Sequence, residues 1–202
     1  CSEVPTTAQC RTLGETLASV MGQSYRRLEI LVVDNASTDN TIEVASRYDD
    51  PRIRIHRNTE NVGAEGNFNR CIELASGAYT AIYHADDLYT AQMVAEQVDF
   101  LERHPEVGGV LTEAVVIDGH GRKKGAISFP AGLGRKGAAY VGFPELFSAL
   151  LRHSNFLICP SAMVRTAVYK NDIKGWRGEL FGSSSDLDIW LRIARQSRLG
   201  LL

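Results

Sequence analysis

The sequence predicts an α/β sandwich around a mostly parallel sheet. Three observations carry this. Short apolar runs alternate with amphipathic helical patterns along the first half. Two of the runs end in acidic, polar loops, as strand ends at a ligand-binding rim do. The content is ordinary for a globular chain with a real core: 44% hydrophobic and 23% charged over 202 residues.

Taken in order, Leu13, Leu17, Val20 and Met21 fall at helical spacing and predict a helix over residues 12–22. Residues 28–33 form a β-rich apolar run ending at Asp34, as a buried strand does. Residues 35–40 are turn chemistry, and Ile42, Ala45 and Tyr48 mark a second helix. Residues 53–55 make a short strand. Phe68, Cys71, Ile72 and Ala75 predict a helix that Gly77 stops. Residues 78–83 read as a strand running into His84, Ala85, Asp86 and Asp87, and Val94, Val98 and Leu101 line one face of the next helix.

The second half is less regular. Residues 110–117 and 158–164 are predicted strands, and residues 144–151 a helix. Residues 119–142 are glycine-rich and predict a hairpin or loop. Leu187, Trp190, Leu191 and Ala194 mark a last helix starting near Asp186. With no linker in view, the chain is expected to be one domain of two halves, 1–105 and 106–202, continuing beyond one or both ends.

Charge excludes one class of partner. A net charge of -2, from 22 basic and 24 acidic residues, gives no electrostatic case for nucleic acid. The basic clusters at Arg122, Lys123, Lys124 and at Arg135, Lys136 sit in the glycine-rich stretch and read as a solvated loop. Cys1, Cys10, Cys71 and Cys159 match no zinc spacing and are too sparse for a disulfide scaffold. They read as reduced thiols of a cytoplasmic protein. No apolar run approaches a membrane span. His56, His104, His120 and His153 are scattered without ligand spacing.

Three sites could carry chemistry, and each also has a plain structural reading. The adjacent carboxylates Asp86 and Asp87 repel each other unless a cation or donor satisfies them, and Mg²⁺ or Mn²⁺ would do so. Either could instead cap the following helix. Asn35 offers the acceptor and donors that suit the edge of a uracil ring, or it is a turn residue. Asp186 could take a proton from an attacking hydroxyl, or simply cap its helix.

Their order along the chain is the more specific signal. With residues 15–20, 23–25, 28–39 (LEILVVDNASTD), 61–63, 66–69, 73–79, 84–87 (HADD) and 186–192 (DLDIWLR), the sequence resembles the family-2 glycosyltransferases. The resemblance implies a GT-A-like (Rossmann-like) α/β/α sandwich. It implies an inverting transfer from a nucleotide sugar, expected to be a UDP-sugar, to an acceptor hydroxyl. Residue by residue, Val4, Pro5 and Thr6 match the end of the first strand beside the nucleobase. Asp34 and Asn35 match the acidic pair on the uracil side. Asp86 and Asp87 match the metal-binding motif, with Asp86 also near the ribose. Asp186 matches the catalytic base.

His84 stands where the family often has Asp, so the metal, Mn²⁺ or Mg²⁺, is expected on Asp86 and Asp87, with His84 read as packing at the strand end in preference to serving as a nitrogen ligand. Asn35 replaces a frequent Asp, and Ser185 a frequent acidic residue. The absence of a Gln-x-x-Arg-Trp segment favours single-sugar transfer. The implied partners are a nucleotide sugar and a glycan, lipid-linked or protein acceptor. Peripheral association with the inner face of a membrane is open. Two other readings remain: a nucleotidyltransferase, which would want a glycine-rich phosphate loop near Arg11, and a binding module of the same fold without turnover.

Overall fold

A computed structural model describes residues 6–133 and 140–202, with side chains from residue 12 onward. Val4, Pro5, Arg135 and Lys136 lie outside the described residues. Thr6, expected at the end of a first strand, instead opens the first helix.

The elements run in order: α1 (Thr6–Met21), β1 (Ile30–Asp34), α2 (Thr41–Ser46), β2 (Ile53–Arg57), α3 (Gly63–Leu74), β3 (Tyr79–Ala81) and α4 (Met93–Arg103). Then come β4 (Val107–Leu111), β5 (Ala114–Ile117), β6 (Lys123–Ile127), β7 (Tyr140–Val141), α5 (Phe143–His153), β8 (Met163–Arg165), α6 (Gly178–Phe181), α7 (Ser185–Gln196) and β9 (Arg198–Leu201). A wide π-type turn, Val168–Ile173, follows β8.

The strands form three groups. β1 and β2 pair in parallel. Five strands, in the order β3-β8-β4-β9-β7, form the main sheet. Within it β4 and β9 are parallel, while β8 runs against both its neighbours and β7 against β9. The sheet expected to be mostly parallel is therefore mixed: among the described residues only β1–β2 and β4–β9 pair in parallel, and the other four pairings are antiparallel. The irregular second half contributes the two opposed strands. β5 and β6 form a separate antiparallel hairpin, of which only β6 lies within the glycine-rich stretch 119–142.

The layers follow from alternation along β4, where every residue is buried. Val110 packs with Val94, Val98 and Leu101 of α4 on one face. Leu111 packs with Leu146 of α5 and with Ile189, Trp190 and Ile193 of α7 on the other. A third cluster joins Leu13, Leu17 and Val20 of α1 to Ile30, Ala45 and Met93. This is helix, sheet, helix, as the amphipathic patterns require.

Two predicted strands are corrected. The run 110–117 breaks into the end of β4 and all of β5, separated by Thr112 and Glu113. The run 158–164 opens as a short 3₁₀ turn, Cys159–Ser161, and only then enters β8. Pro160 explains this: it has no N–H for a ladder, so pairing starts beyond it. Among the described residues, no helix is long and apolar enough to cross a membrane.

Candidate functional site

The end of β1 delivers Asp34, which is 3% exposed. Its Oδ2 accepts the Ser37 N–H at 3.1 Å and lies 3.4 Å from the Arg57 Nε. The turn that follows carries Ala36 at φ 59°, in the left-handed region. Asn35 uses both ends of its amide. Nδ2 donates to Asn61 Oδ1 at 2.8 Å and to the Gly63 carbonyl at 3.1 Å. Oδ1 accepts from the Val62 N–H at 3.0 Å and from Asn58 Nδ2 at 3.2 Å. Asn35 thereby ties the rim of β1 to the start of α3.

The loop after β3 holds the second predicted site, and α1 fixes its path. The Thr16 hydroxyl donates to the Asp87 carbonyl at 2.8 Å, and the Ser19 hydroxyl accepts the Tyr89 N–H at 3.3 Å. Neither Asp86 nor Asp87 caps the next helix. α4 starts at Met93, and its early N–H at Val94 is taken by Gln23 Oε1 at 3.1 Å. Gln23 is fully buried, and its Nε2 donates to the Thr90 carbonyl at 2.8 Å. The helix-cap explanation for the two aspartates is thus taken over by another residue.

His84, Asp86 and Asp87 each offer one ligand atom, and these atoms lie within 4.8 Å of one another. No other such trio occurs among the described residues. Burial, and then the neighbouring Asp86 charge, raise the Asp87 carboxyl above its usual range, while His84 pulls the other way. A carboxyl raised by a like charge is what a bound cation would relieve. His84 Nε2 is buried without a hydrogen-bond partner. The donor set fits a divalent cation.

Asp186 sits in the first turn of α7 beside Asp188, where the helix dipole favours carboxylates. Its Oδ1 accepts the Leu187 N–H at 2.8 Å. Asp188 has a different task. It is held by Arg177 and Arg192, with Arg192 Nη2 2.8 Å from Oδ2. Arg192 also donates to the Ile173 and Gly175 carbonyls, at 2.5 and 2.8 Å. This locks the segment before α6 against α7.

Two observations bring the predicted sites together. The first is Cys159, whose thiol is pushed up to about 12, first by burial and then by the charges of Asp186 and Asp87. One thiol thus feels both carboxylates. The second is the start of α3. Gly63 accepts from Asn35, and Asn67 Nδ2 donates to the Val33 carbonyl at 3.1 Å. Ser185 donates to Glu65 Oε1 at 3.5 Å. Phe68 stacks on His84 with ring centroids 5.7 Å apart, and Asn69 bonds Trp176. Six residue steps of helix, about 9 Å at 1.5 Å per residue, touch all three regions. The hub role of α3 is invisible in a linear reading, because it is spread over Gly63, Glu65, Asn67, Phe68 and Asn69 without a motif.

Comparison with known proteins follows this geometry. The model described as Glycosyl transferase family 2 matches residues 4–172, a stretch that ends before α7. The "Putative glycosyltransferase EpsE" of Bacillus subtilis (strain 168) is 30% identical over 194 residues, covering 94% of this chain and 64% of its own length. The UDP-Glc:alpha-D-GlcNAc-diphosphoundecaprenol beta-1,3-glucosyltransferase WfaP of Escherichia coli is 32% identical over 91 residues, 45% of this chain and 36% of its own. The chain thus spans less than two thirds of either relative.

Among solved structures, S. aureus TarS 1–349 in complex with UDP superposes with a TM-score of 0.75 at 20% identity, over 96% of this chain and 55% of that one. The mannosyltransferase PcManGT from Pyrobaculum calidifontis, in complex with GDP-Man and Mn²⁺, gives 0.66 at 20% identity, over 96% and 51%. At this identity the likeness speaks for the fold, which is the GT-A α/β/α sandwich.

Proposed function

Because the chain belongs to glycosyl transferase family 2, we propose that it transfers a sugar from a nucleotide sugar, expected to be a UDP-sugar, to an acceptor hydroxyl with inversion, in the making of a polysaccharide or glycoconjugate. The observation that carries this reading is the way α3 reaches all three regions, with Gly63 bonded to Asn35, Phe68 stacked on His84 and Glu65 bonded to Ser185 beside Asp186.

Asp34 and Asn35 border the nucleobase. Asp86 lies toward the ribose and, with Asp87, would hold a cation. A divalent cation bound there, Mn²⁺ or Mg²⁺, supplies positive charge against the departing diphosphate. Asp186 accepts the proton of the acceptor hydroxyl. The freed oxygen attacks the anomeric carbon from the face opposite the diphosphate. The new C–O bond forms as the sugar–phosphate bond breaks, and the configuration inverts. No covalent sugar–enzyme intermediate is required. The acceptor is a glycan, a lipid-linked sugar or a protein. The diphosphoundecaprenol-linked acceptor in the name of the Escherichia coli relative supports the lipid-linked choice. Such an acceptor would bring the protein to the cytoplasmic face of a membrane.

Thermal stability against nucleoside diphosphates and nucleotide sugars, with and without Mn²⁺, tests the reading. A ligand at a hundredfold excess over its dissociation constant stabilises the fold by about 2.7 kcal/mol. A UDP shift that needs Mn²⁺ and disappears in Asp86→Asn/Asp87→Asn is expected. A folded chain that responds to no nucleotide would sink the proposal. Nucleotide binding with neither transfer nor hydrolysis would favour a binding module.

A further inference from the structure

His84 is more firmly placed than a strand-end packing residue needs to be. Its ring lies nearly parallel to that of Phe68, at 4° and 5.7 Å. Its N–H donates to the Tyr89 hydroxyl at 2.9 Å, and that hydroxyl donates back to the His84 carbonyl at 3.3 Å. Tyr89 is itself fixed by the Ser19 hydroxyl on α1. Ring and backbone are therefore both pinned, yet the buried Nε2 makes no hydrogen bond. An unpaired buried polar atom carries a desolvation penalty that a Phe or Leu at the same place would avoid.

The ring's position gives its nitrogens a use. A ligand atom of His84 and carboxylate oxygens of Asp86 and Asp87 lie within 4.8 Å of one another. Ligands facing each other across one cation are about 4.3 Å apart, so small side-chain rotations close the set. Imidazole suits the later first-row cations best and Mn²⁺ least among that row, yet Mn²⁺ takes a nitrogen ligand more readily than Mg²⁺, which prefers oxygen donors and retained water.

We infer that His84 is a third protein ligand beside Asp86 and Asp87, making a mixed nitrogen–oxygen site that selects a first-row transition cation over Mg²⁺. The inference rests on the metal-assisted donor site proposed above. It adds the identity of a ligand and the class of cation.

The test uses Mn²⁺ as the probe, with UDP present and Mn²⁺–UDP alone as the blank. Electron spin-echo envelope modulation of the loaded wild-type chain is expected to show coupling to a histidine nitrogen. His84→Asn is expected to lose that coupling and to bind Mn²⁺ about tenfold more weakly, with Mg²⁺ affinity little changed. His84→Asp restores an all-oxygen set and is expected to narrow the preference for Mn²⁺ over Mg²⁺. Should either variant fail to fold, the wild-type spectrum decides alone. Mn²⁺ binding that depends on Asp86 and Asp87 but shows no nitrogen coupling would overturn the ligand role and leave the transferase reading standing. Failure of the folded chain to bind Mn²⁺ with UDP would overturn both.

Discussion

Asn69 grips the backbone of Trp176 at both of its polar groups. Trp176 N–H donates to Asn69 Oδ1 at 2.7 Å, and Asn69 Nδ2 donates to the Trp176 carbonyl at 3.3 Å. One side chain on α3 thus anchors the segment that leads into α6 and α7. Removing it strands two backbone groups of a residue that is itself buried. Asn69→Ala is expected to cost about 1–3 kcal/mol in urea unfolding. It is also expected to lower kcat more than donor affinity, because α7 carries Asp186. A stable variant with unchanged turnover would contradict this.

The neighbouring glycine makes a second, independent demand. Gly175 has φ +100°, and a Cβ there would lie 2.6 Å from Asn69 Oδ1. Gly175→Ala meets both a strained backbone and a clash. It is expected to lower the unfolding midpoint clearly, whereas Gly119→Ala, where a Cβ has open space, is expected to change it little.

Asp186→Asn separates chemistry from binding. Loss of the general base is expected to reduce kcat by about 10²- to 10⁴-fold while the Mn²⁺-dependent UDP thermal shift persists. Unchanged turnover would remove Asp186 from the mechanism.

Asp188 provides the pH test. Burial pushes its carboxyl up, but hydrogen bonds and charge from Arg177 and Arg192 outweigh this and hold it below the usual carboxylate range. A depressed acid binds fewer protons folded than unfolded. Its stabilisation is therefore full above the unfolded pKa, about 3.9, and fades as pH falls through the lower folded value. Asp188→Asn is expected to cost about 2 kcal/mol near neutral pH. Its melting curve should converge on that of the wild type in strong acid. A gap that is constant with pH would refute the assignment.

Gly200 sits where β9 passes under α4. A Cβ added there would lie 2.4 Å from a ring carbon of Phe100 and 3.0 Å from Val110. Gly200→Ala is expected to destabilise by about 1–3 kcal/mol through overpacking, read from urea unfolding.

Much of the fold was legible because its signals are local. The periodicity of Leu13, Leu17 and Val20 is that of α1, and the apolar run before Asp34 is β1. β9 was not legible. Arg198, Leu199, Gly200 and Leu201 are too few to show a period, and their strand character comes from pairing with β4 and β7. The wide turn Val168–Ile173 leaves no local signal for a related reason: Arg192 donates to its Ile173 carbonyl, and its Lys170 reaches out to the Ala75 carbonyl. Of the site, the acidic residues were readable from order and spacing. What supports them was not. Gln23 caps α4 from 71 positions away, and Thr16 holds Asp87 from an equal distance. Such contacts leave no mark on a linear pattern.

The place of β9 bears on how the protein is made. β4 lies inside the main sheet, yet its parallel partner is the stretch Arg198–Leu201, some ninety positions later. A chain emerging vectorially from the ribosome can build β1, α2 and β2 early, from near neighbours. It then carries β4 with one edge unsatisfied until β9 has been synthesised. Pairing over so long a span raises contact order and slows the final step. During that interval an open edge made of Val107, Val110 and Leu111 is available to other chains, so slower translation or a bound chaperone should improve the yield of folded protein.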